Sequence, residues 1–203
     1  KSIKLCGEDT RVLKVSYAGE KGFEIHVHNC SMKKIYDELV QHGENFNLIH
    51  FGMLALDSMR LEKNYRSWKS DLTSDYTMLQ SGLEKWIKFD KGNFIGKEAL
   101  KNEFDLGTSK KFVTLVVDDP EDNKPFGEPV YLSPVFAGDD YLGPIVSSGY
   151  GHRVKKSISM AILDDRNLNG LNDQLYIDVL GRKRKAYIVN EALYDPENLK
   201  LRS

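Results

Sequence analysis

The chain has 203 residues, with 29 Lys+Arg against 30 Asp+Glu, a formal charge of -1 and 40% hydrophobic residues. That balance argues against a duplex-DNA partner, which calls for a basic excess. Cys6 and Cys30 are the only cysteines and form no CxxC pair, so a zinc ribbon, a redox motif and a disulfide framework are excluded. No apolar run approaches the roughly 20 residues that span a bilayer, and no signal-peptide pattern opens the chain. The expectation is a soluble, globular, intracellular chain. It opens Lys-Ser, with an element pattern starting almost at once, which fits either a missing N-terminal portion or removal of an initiator Met.

Residues 11–28 read as a hairpin, with Arg11–Ala18 and Phe23–His28 flanking Gly19-Glu20-Lys21-Gly22. A four-residue loop sets Tyr17 opposite Glu24 and puts Leu13, Val15, Tyr17, Glu24, His26 and His28 on one face. Ser31 is placed to cap a helix carrying Met32, Ile35, Tyr36, Leu39 and Val40 on one stripe, with Gly43 at its C-terminal cap. A second helix, from about Phe51 to Glu62, is apolar nearly all round and is expected to be largely buried. After Gly96 a short helix, Lys97–Phe104, leads into a polar connection. The period then changes to strands at Phe112–Val117, Pro129–Tyr131, Tyr141–Ser148, Ser157–Leu163, Leu175–Leu180 and Lys185–Val189. Asp122-Asn123, Gly138-Asp139 and Asn169-Gly170 supply turns between them. About six short strands in 80 residues predict a small antiparallel barrel. The boundary falls near residues 105–110, giving an α+β region over 1–105 and a barrel over 106–203.

Several motifs carry little chemistry. His26 and His28 have no third metal ligand at a persuasive spacing and read as a polar strand face. The Gly19/Gly22 and Gly149/Gly151 pairs read as turns, not phosphate loops. Arg182-Lys183-Arg184-Lys185 reads as a solvated hairpin turn. No G-x-S-x-G elbow is present. The stronger constellation is Tyr17, Glu24, Arg60 and Trp86. A carboxylate and a tyrosine on a hairpin, an arginine on a buried helix and a tryptophan could bind a flat heterocycle. From spacing alone, a structural ion pair of Glu24 with Arg60 is the leading reading and the heterocycle site the minor one.

Three segments carry a resemblance. Tyr17-Ala18-Gly19-Glu20-Lys21-Gly22-Phe23-Glu24 resembles the Y-x-G-E-x-G-[FY]-E segment of the folate-binding aminomethyltransferase family. Phe51-Gly52, Ala55-Leu56-Asp57-Ser58-Met59-Arg60-Leu61-Glu62-Lys63 and Tyr65-Arg66-Ser67-Trp68 resemble its FG…A-x-D-S-[LM]-R-L-E-K-x-Y-R-x-W block. Gly82-Leu83, Asp90-Lys91 and Phe94-Ile95-Gly96-Lys97-Glu98-Ala99-Leu100 resemble its G-L…DK…F-I-G-[KR]-x-A-L block. Gly127-Glu128-Pro129-Val130, Ser147-Ser148-Gly149-Tyr150-Gly151-His152 and Leu193-Tyr194-Asp195-Pro196 extend the likeness through the barrel. The E-K-x-Y-R-x-W variant resembles the sarcosine and dimethylglycine dehydrogenase branch more than the glycine-cleavage branch.

The resemblance implies an aminomethyltransferase-like α+β portion followed by a small antiparallel C-terminal β-barrel. It implies tetrahydrofolate as cofactor, with Tyr17 and Trp86 walling the pterin, Glu24 accepting from its ring N–H and amine, and Arg60 contacting a pterin acceptor or an anionic part of the folate. Lys124 matches a basic barrel position near the folate tail. In a dehydrogenase of this branch, an oxidised N-methyl carbon is captured as 5,10-methylenetetrahydrofolate. A flavin-free aminomethyltransferase or demethylase, and a non-catalytic folate-binding module, are the alternatives. The family's catalytic carboxylate and the dehydrogenases' FAD domain lie upstream, so no catalytic or metal residue is assigned here. The expected partners are a small-molecule folate and the upstream half of the same fold, with no nucleic acid or membrane. The expected compartment is cytoplasmic, or the mitochondrial matrix in a eukaryote. Asn64 and Lys69 depart from the family by standing where relatives often have glycine.

Overall fold

The structure is a computed structural model and describes residues 1–118, 129–165, 168 and 175–203. The expected turns at Asp122-Asn123 and Asn169-Gly170, the Gly127-Glu128 motif and Lys124 lie outside these residues. The chain forms two compact units, Lys1–Arg60 with Asp195–Ser203, and Leu61–Tyr194.

The first unit is built on a three-stranded antiparallel sheet in the order β1 (Ser2–Leu5), β2 (Glu8–Leu13), β3 (Glu24–His26). Cys6 and Gly7 join β1 to β2, both at positive φ (52° and 82°), as a two-residue hairpin turn requires. The second hairpin differs from its sequence reading. Its ladder pairs Leu13 with Glu24 and Arg11 with His26, so residues 14–23 form a ten-residue loop, and Tyr17 is not paired with Glu24. Within this loop Gly19 takes φ 86° and its N–H donates to Ser16 Oγ at 3.2 Å.

Helix α1 (Asn29–Gly43) follows, entered through His28. Ser31 lies inside the helix and is not its cap: its hydroxyl donates to Glu8 Oε2 at 2.6 Å, tying helix to sheet. Gly43 is the last helical residue, where a side chain would strike Leu48 at 2.6 Å; the left-handed cap falls later, on Asn47. Ile35 is the buried member of the apolar stripe, whereas Met32 and Tyr36 are exposed. Helix α2 (Met53–Glu62) is likewise less buried than its composition suggests. Met53 and Leu54 are 75% and 90% exposed, and burial starts at Arg60. Asp195 caps the short terminal helix α2 is followed by in this unit, Leu199–Arg202 (α4), through the N–H groups of Leu199 and Lys200.

In the second unit, helix α3 (Lys97–Leu106) leads to β4 (Lys110–Val117), β5 (Pro134–Ala137), β6 (Asp140–Gly151), β7 (Lys156–Asp164), β8 (Leu175–Val179) and β9 (Arg182–Val189). They close into an antiparallel barrel in the order β4-β7-β6-β5-β8-β9, with β9 pairing back onto β4. The unbroken apolar run of β7 has a direct cause. Ala161 and Leu163 join Leu115, Val135 and Ile177 in one core cluster, while Ile158, Met160 and Ile162 pack with Leu61 and Phe112 in another. A strand buried on both faces loses its polar alternation. Pro129–Tyr131 is not a strand: Ser133 N–H donates to Val130 O, Leu132 takes φ 68°, and the chain turns before β5 begins. The basic tetrad is strand β9 itself, since Leu180-Gly181, both at positive φ, make the turn and Lys183 pairs with Asp178 across the ladder.

Candidate functional site

Tyr17, Glu24 and Arg60 belong to the first unit and Trp86 to the second. Tyr17 sits in the 14–23 loop, 37% exposed. Glu24 opens β3 and accepts from or pairs with His26 Nε2 at 3.1 Å, two residues along the same face. The structural ion pair weighed for Glu24 and Arg60 is therefore not the one formed. Arg60 Nε donates to Asp57 Oδ1 at 2.7 Å, one turn back on α2, with its own side chain 2% exposed and that of Asp57 46%. Beside Glu24 the sheet carries Lys4, Asp9, Arg11 and His26 around an open concavity that reaches His28. Arg11 faces His26 across the ladder. The sequence pattern passed over Arg11, because a lone arginine within a strand has no periodic signature.

Trp86 ends a single 3-10 turn, Glu84–Trp86, and is 68% exposed with Lys85 Nζ 5.4 Å from its ring centroid. Within this chain nothing covers most of its side chain. The turn is anchored from behind. Leu83 N–H donates to Met78 O and Trp86 N–H to Leu83 O, both at 2.9 Å. Arg66 Nη2 donates to Gly82 O at 3.1 Å while its guanidinium lies 4.2 Å over the Phe112 ring. Burial lowers the Arg66 pKa from its ordinary value, with Glu84 and Asp71 acting in the opposite sense.

Two buried carboxylates, whose roles sequence reasoning also missed, hold the surrounding loops. Asp71, fully buried, accepts from Ser67 N–H and Ser147 Oγ, both at 2.6 Å. Glu62 Oε1 accepts from the Arg153 and Val154 N–H groups at 2.7 and 3.1 Å. Lys69 adopts φ 78° and Asn64 φ 57°, so both departures keep the left-handed backbone that glycine would favour.

Residues 1–91 match the family model of the GCVT N-terminal domain, and residues 110–195 that of the glycine cleavage T-protein C-terminal barrel domain. The chain belongs to the aminomethyltransferase family. It is 30% identical over 193 residues to an aminomethyltransferase of Thermoanaerobacter sp. (strain X514), covering 95% of this chain and 50% of that protein. It is 29% identical over 198 residues to human mitochondrial dimethylglycine dehydrogenase, covering 95% of this chain and 22% of that protein. Mouse mitochondrial sarcosine dehydrogenase is 26% identical over 207 residues, with 98% and 22% covered. The chain thus spans about half the length of the aminomethyltransferases it matches and about a fifth of the dehydrogenases. The crystal structure of glycine cleavage system aminomethyltransferase T from Bartonella henselae shares the fold, with a TM-score of 0.77 at 20% identity over 91% of this chain and 50% of that one. Family membership agrees with the α+β portion and closed barrel read from the sequence. Among the described residues, no helix is long and apolar enough to cross a membrane.

Proposed function

We propose that this chain is the tetrahydrofolate-binding C-terminal part of a one-carbon enzyme of the sarcosine/dimethylglycine dehydrogenase type. The observation that carries the reading is the presentation of Glu24. Its carboxylate is 58% exposed, with one weak partner, and stands on the face of the segment whose sequence matches the family's folate motif. A carboxylate held this way is ready to accept from a pterin's N–H and amine groups. Tyr17 and Trp86, both with accessible rings, supply flat apolar surface for stacking. Arg60 is the candidate for a pterin acceptor or an anionic part of the folate; in this chain its Nε donates to Asp57 Oδ1.

When bound, tetrahydrofolate supplies the nitrogens that take up a one-carbon unit, yielding 5,10-methylenetetrahydrofolate. This chain's residues bind, orient and desolvate; the catalytic carboxylate and any flavin belong upstream. The upstream half of the fold is the macromolecular partner, in the cytoplasm or, in a eukaryote, the mitochondrial matrix. We place the boundary between the α+β region (1–105) and the barrel (106–203) inside the second compact unit, and expect limited proteolysis to cut first between Phe104 and Lys111.

A flavin-free aminomethyltransferase is the second reading, supported by identities of 30% to an aminomethyltransferase against 29% and 26% to the two dehydrogenases. The native polypeptide's length separates them: about twice this chain for an aminomethyltransferase, four to five times for a dehydrogenase. Calorimetric titration of the native polypeptide with 5-formyltetrahydrofolate tests the folate reading. Saturable binding weakened by Glu24→Gln is expected. Absence of binding would overturn it.

A further inference from the structure

We propose that Arg66 is a positioning residue for Trp86: pinned between the Phe112 ring and the Gly82 carbonyl, it fixes the 82–86 turn that presents the tryptophan. The inference rests on the reading of Trp86 as a folate wall.

An exposed tryptophan on one turn of 3-10 helix has little of its own to hold it. The turn supplies one backbone bond to the Trp86 N–H, from Leu83 O, and 3-10 geometry is weak. Rigidity must come from the residues before it. Gly82 lies at φ 64°, and its carbonyl receives the Arg66 guanidinium at 3.1 Å. The fit is close on the other side too, since a Cβ at Gly82 would sit 2.7 Å from Arg66 Nη2. Phe112, a β4 residue whose own N–H donates to Gln80 O at 2.8 Å, completes the clamp, with the Arg66 guanidinium 4.2 Å over its ring centroid. Barrel strand, arginine and turn are thus joined through adjacent contacts.

The geometry selects arginine over lysine. A planar guanidinium stacks on a ring while donating in its own plane, and an ammonium cannot do both. A pre-ordered aromatic wall needs less ordering when a ligand binds, so loosening Trp86 weakens binding without removing a contact. Glu84, inside the turn, adds an attractive charge to the same guanidinium.

The test uses two readouts. In the chain carrying Trp68→Phe, Trp86 is the single tryptophan, because the sequence holds two. Arg66→Lys is expected to lower the fluorescence anisotropy of Trp86 without ligand, and Gly82→Ala, which pushes on the contact from the other side, to do the same. In the native polypeptide, Arg66→Lys is expected to weaken 5-formyltetrahydrofolate binding roughly twofold to tenfold, the range of a stacking contact. It should add nothing once Trp86→Leu is present. Unchanged anisotropy in a folded Arg66→Lys or Gly82→Ala variant overturns the positioning role. So does an Arg66→Lys effect on affinity that persists undiminished in the Trp86→Leu background. If Trp86→Leu alone leaves the affinity unaltered, the folate-wall reading fails instead, and the anisotropy result still decides whether Arg66 orders the turn.

Discussion

Glu24→Gln separates a ligand-binding carboxylate from a structural one, because the structure gives it almost nothing to lose on folding. Its side chain is 58% exposed, and its partner His26 is 54% exposed at 3.1 Å. Exposed pairs of this kind are worth about 0.2–1 kcal/mol. For a chain of this length that corresponds to at most roughly 2–4 °C in melting temperature. Gln keeps the shape and one acceptor oxygen, so even that loss should be partial. A bound pterin would instead lose charge-assisted hydrogen bonds worth about 1.5–3 kcal/mol, a drop in affinity of roughly tenfold to 150-fold. Thermal unfolding monitored by circular dichroism, beside calorimetric titration with 5-formyltetrahydrofolate, measures both quantities in the native polypeptide. A melting temperature lowered well beyond 4 °C with unaltered affinity would refute the reasoning and return Glu24 to a structural role.

Trp86→Ala should leave denaturant stability within about 0.5 kcal/mol, since the side chain is 68% exposed, where a core tryptophan would cost about 3–5 kcal/mol. Lys69→Gly should stabilise the chain by about 0.5–1 kcal/mol in urea unfolding, by relieving a non-glycine residue at φ 78° against glycine's own entropic cost. Gly143→Ala should cost about 3 kcal/mol or more, because its Cβ would fall 2.2 Å from Ile162 O inside the barrel wall. Gly138→Ala, at φ 61° in open space, should cost only about 1 kcal/mol, and equal losses at the two sites would contradict the clash. Acid unfolding reports on Glu8, whose pKa is held below its ordinary 4.5 by hydrogen bonds from Lys34 and then Ser31. Its stabilisation is full above that ordinary value and disappears as pH falls through the lowered folded one. Glu8→Gln should therefore flatten the acid limb of the stability profile.

The sequence by itself determined the succession of elements wherever a local pattern is strong. The apolar runs at Phe112–Val117 and Ser157–Leu163 mark strands whatever their partners, and Gly138-Asp139 marks a turn through its own backbone preference. Motif order likewise placed the chain in its family. What depends on distant neighbours was hidden. The ten-residue loop of the second hairpin was not legible, since its length is set by where the ladder ends, at the Leu13–Glu24 pair. The hairpin at Cys6-Gly7 escaped notice for lack of the usual Asn-Gly pair. Helix α2 is apolar nearly all round, whereas within this chain burial starts only at Arg60. The partners of charged side chains were equally invisible. Glu24 met His26, Arg60 met Asp57, and Arg66 met a carbonyl 16 residues away and an aromatic ring on the barrel. Charge pairing is decided by which side chains the backbone brings within a few ångströms, and only the tertiary structure fixes those distances.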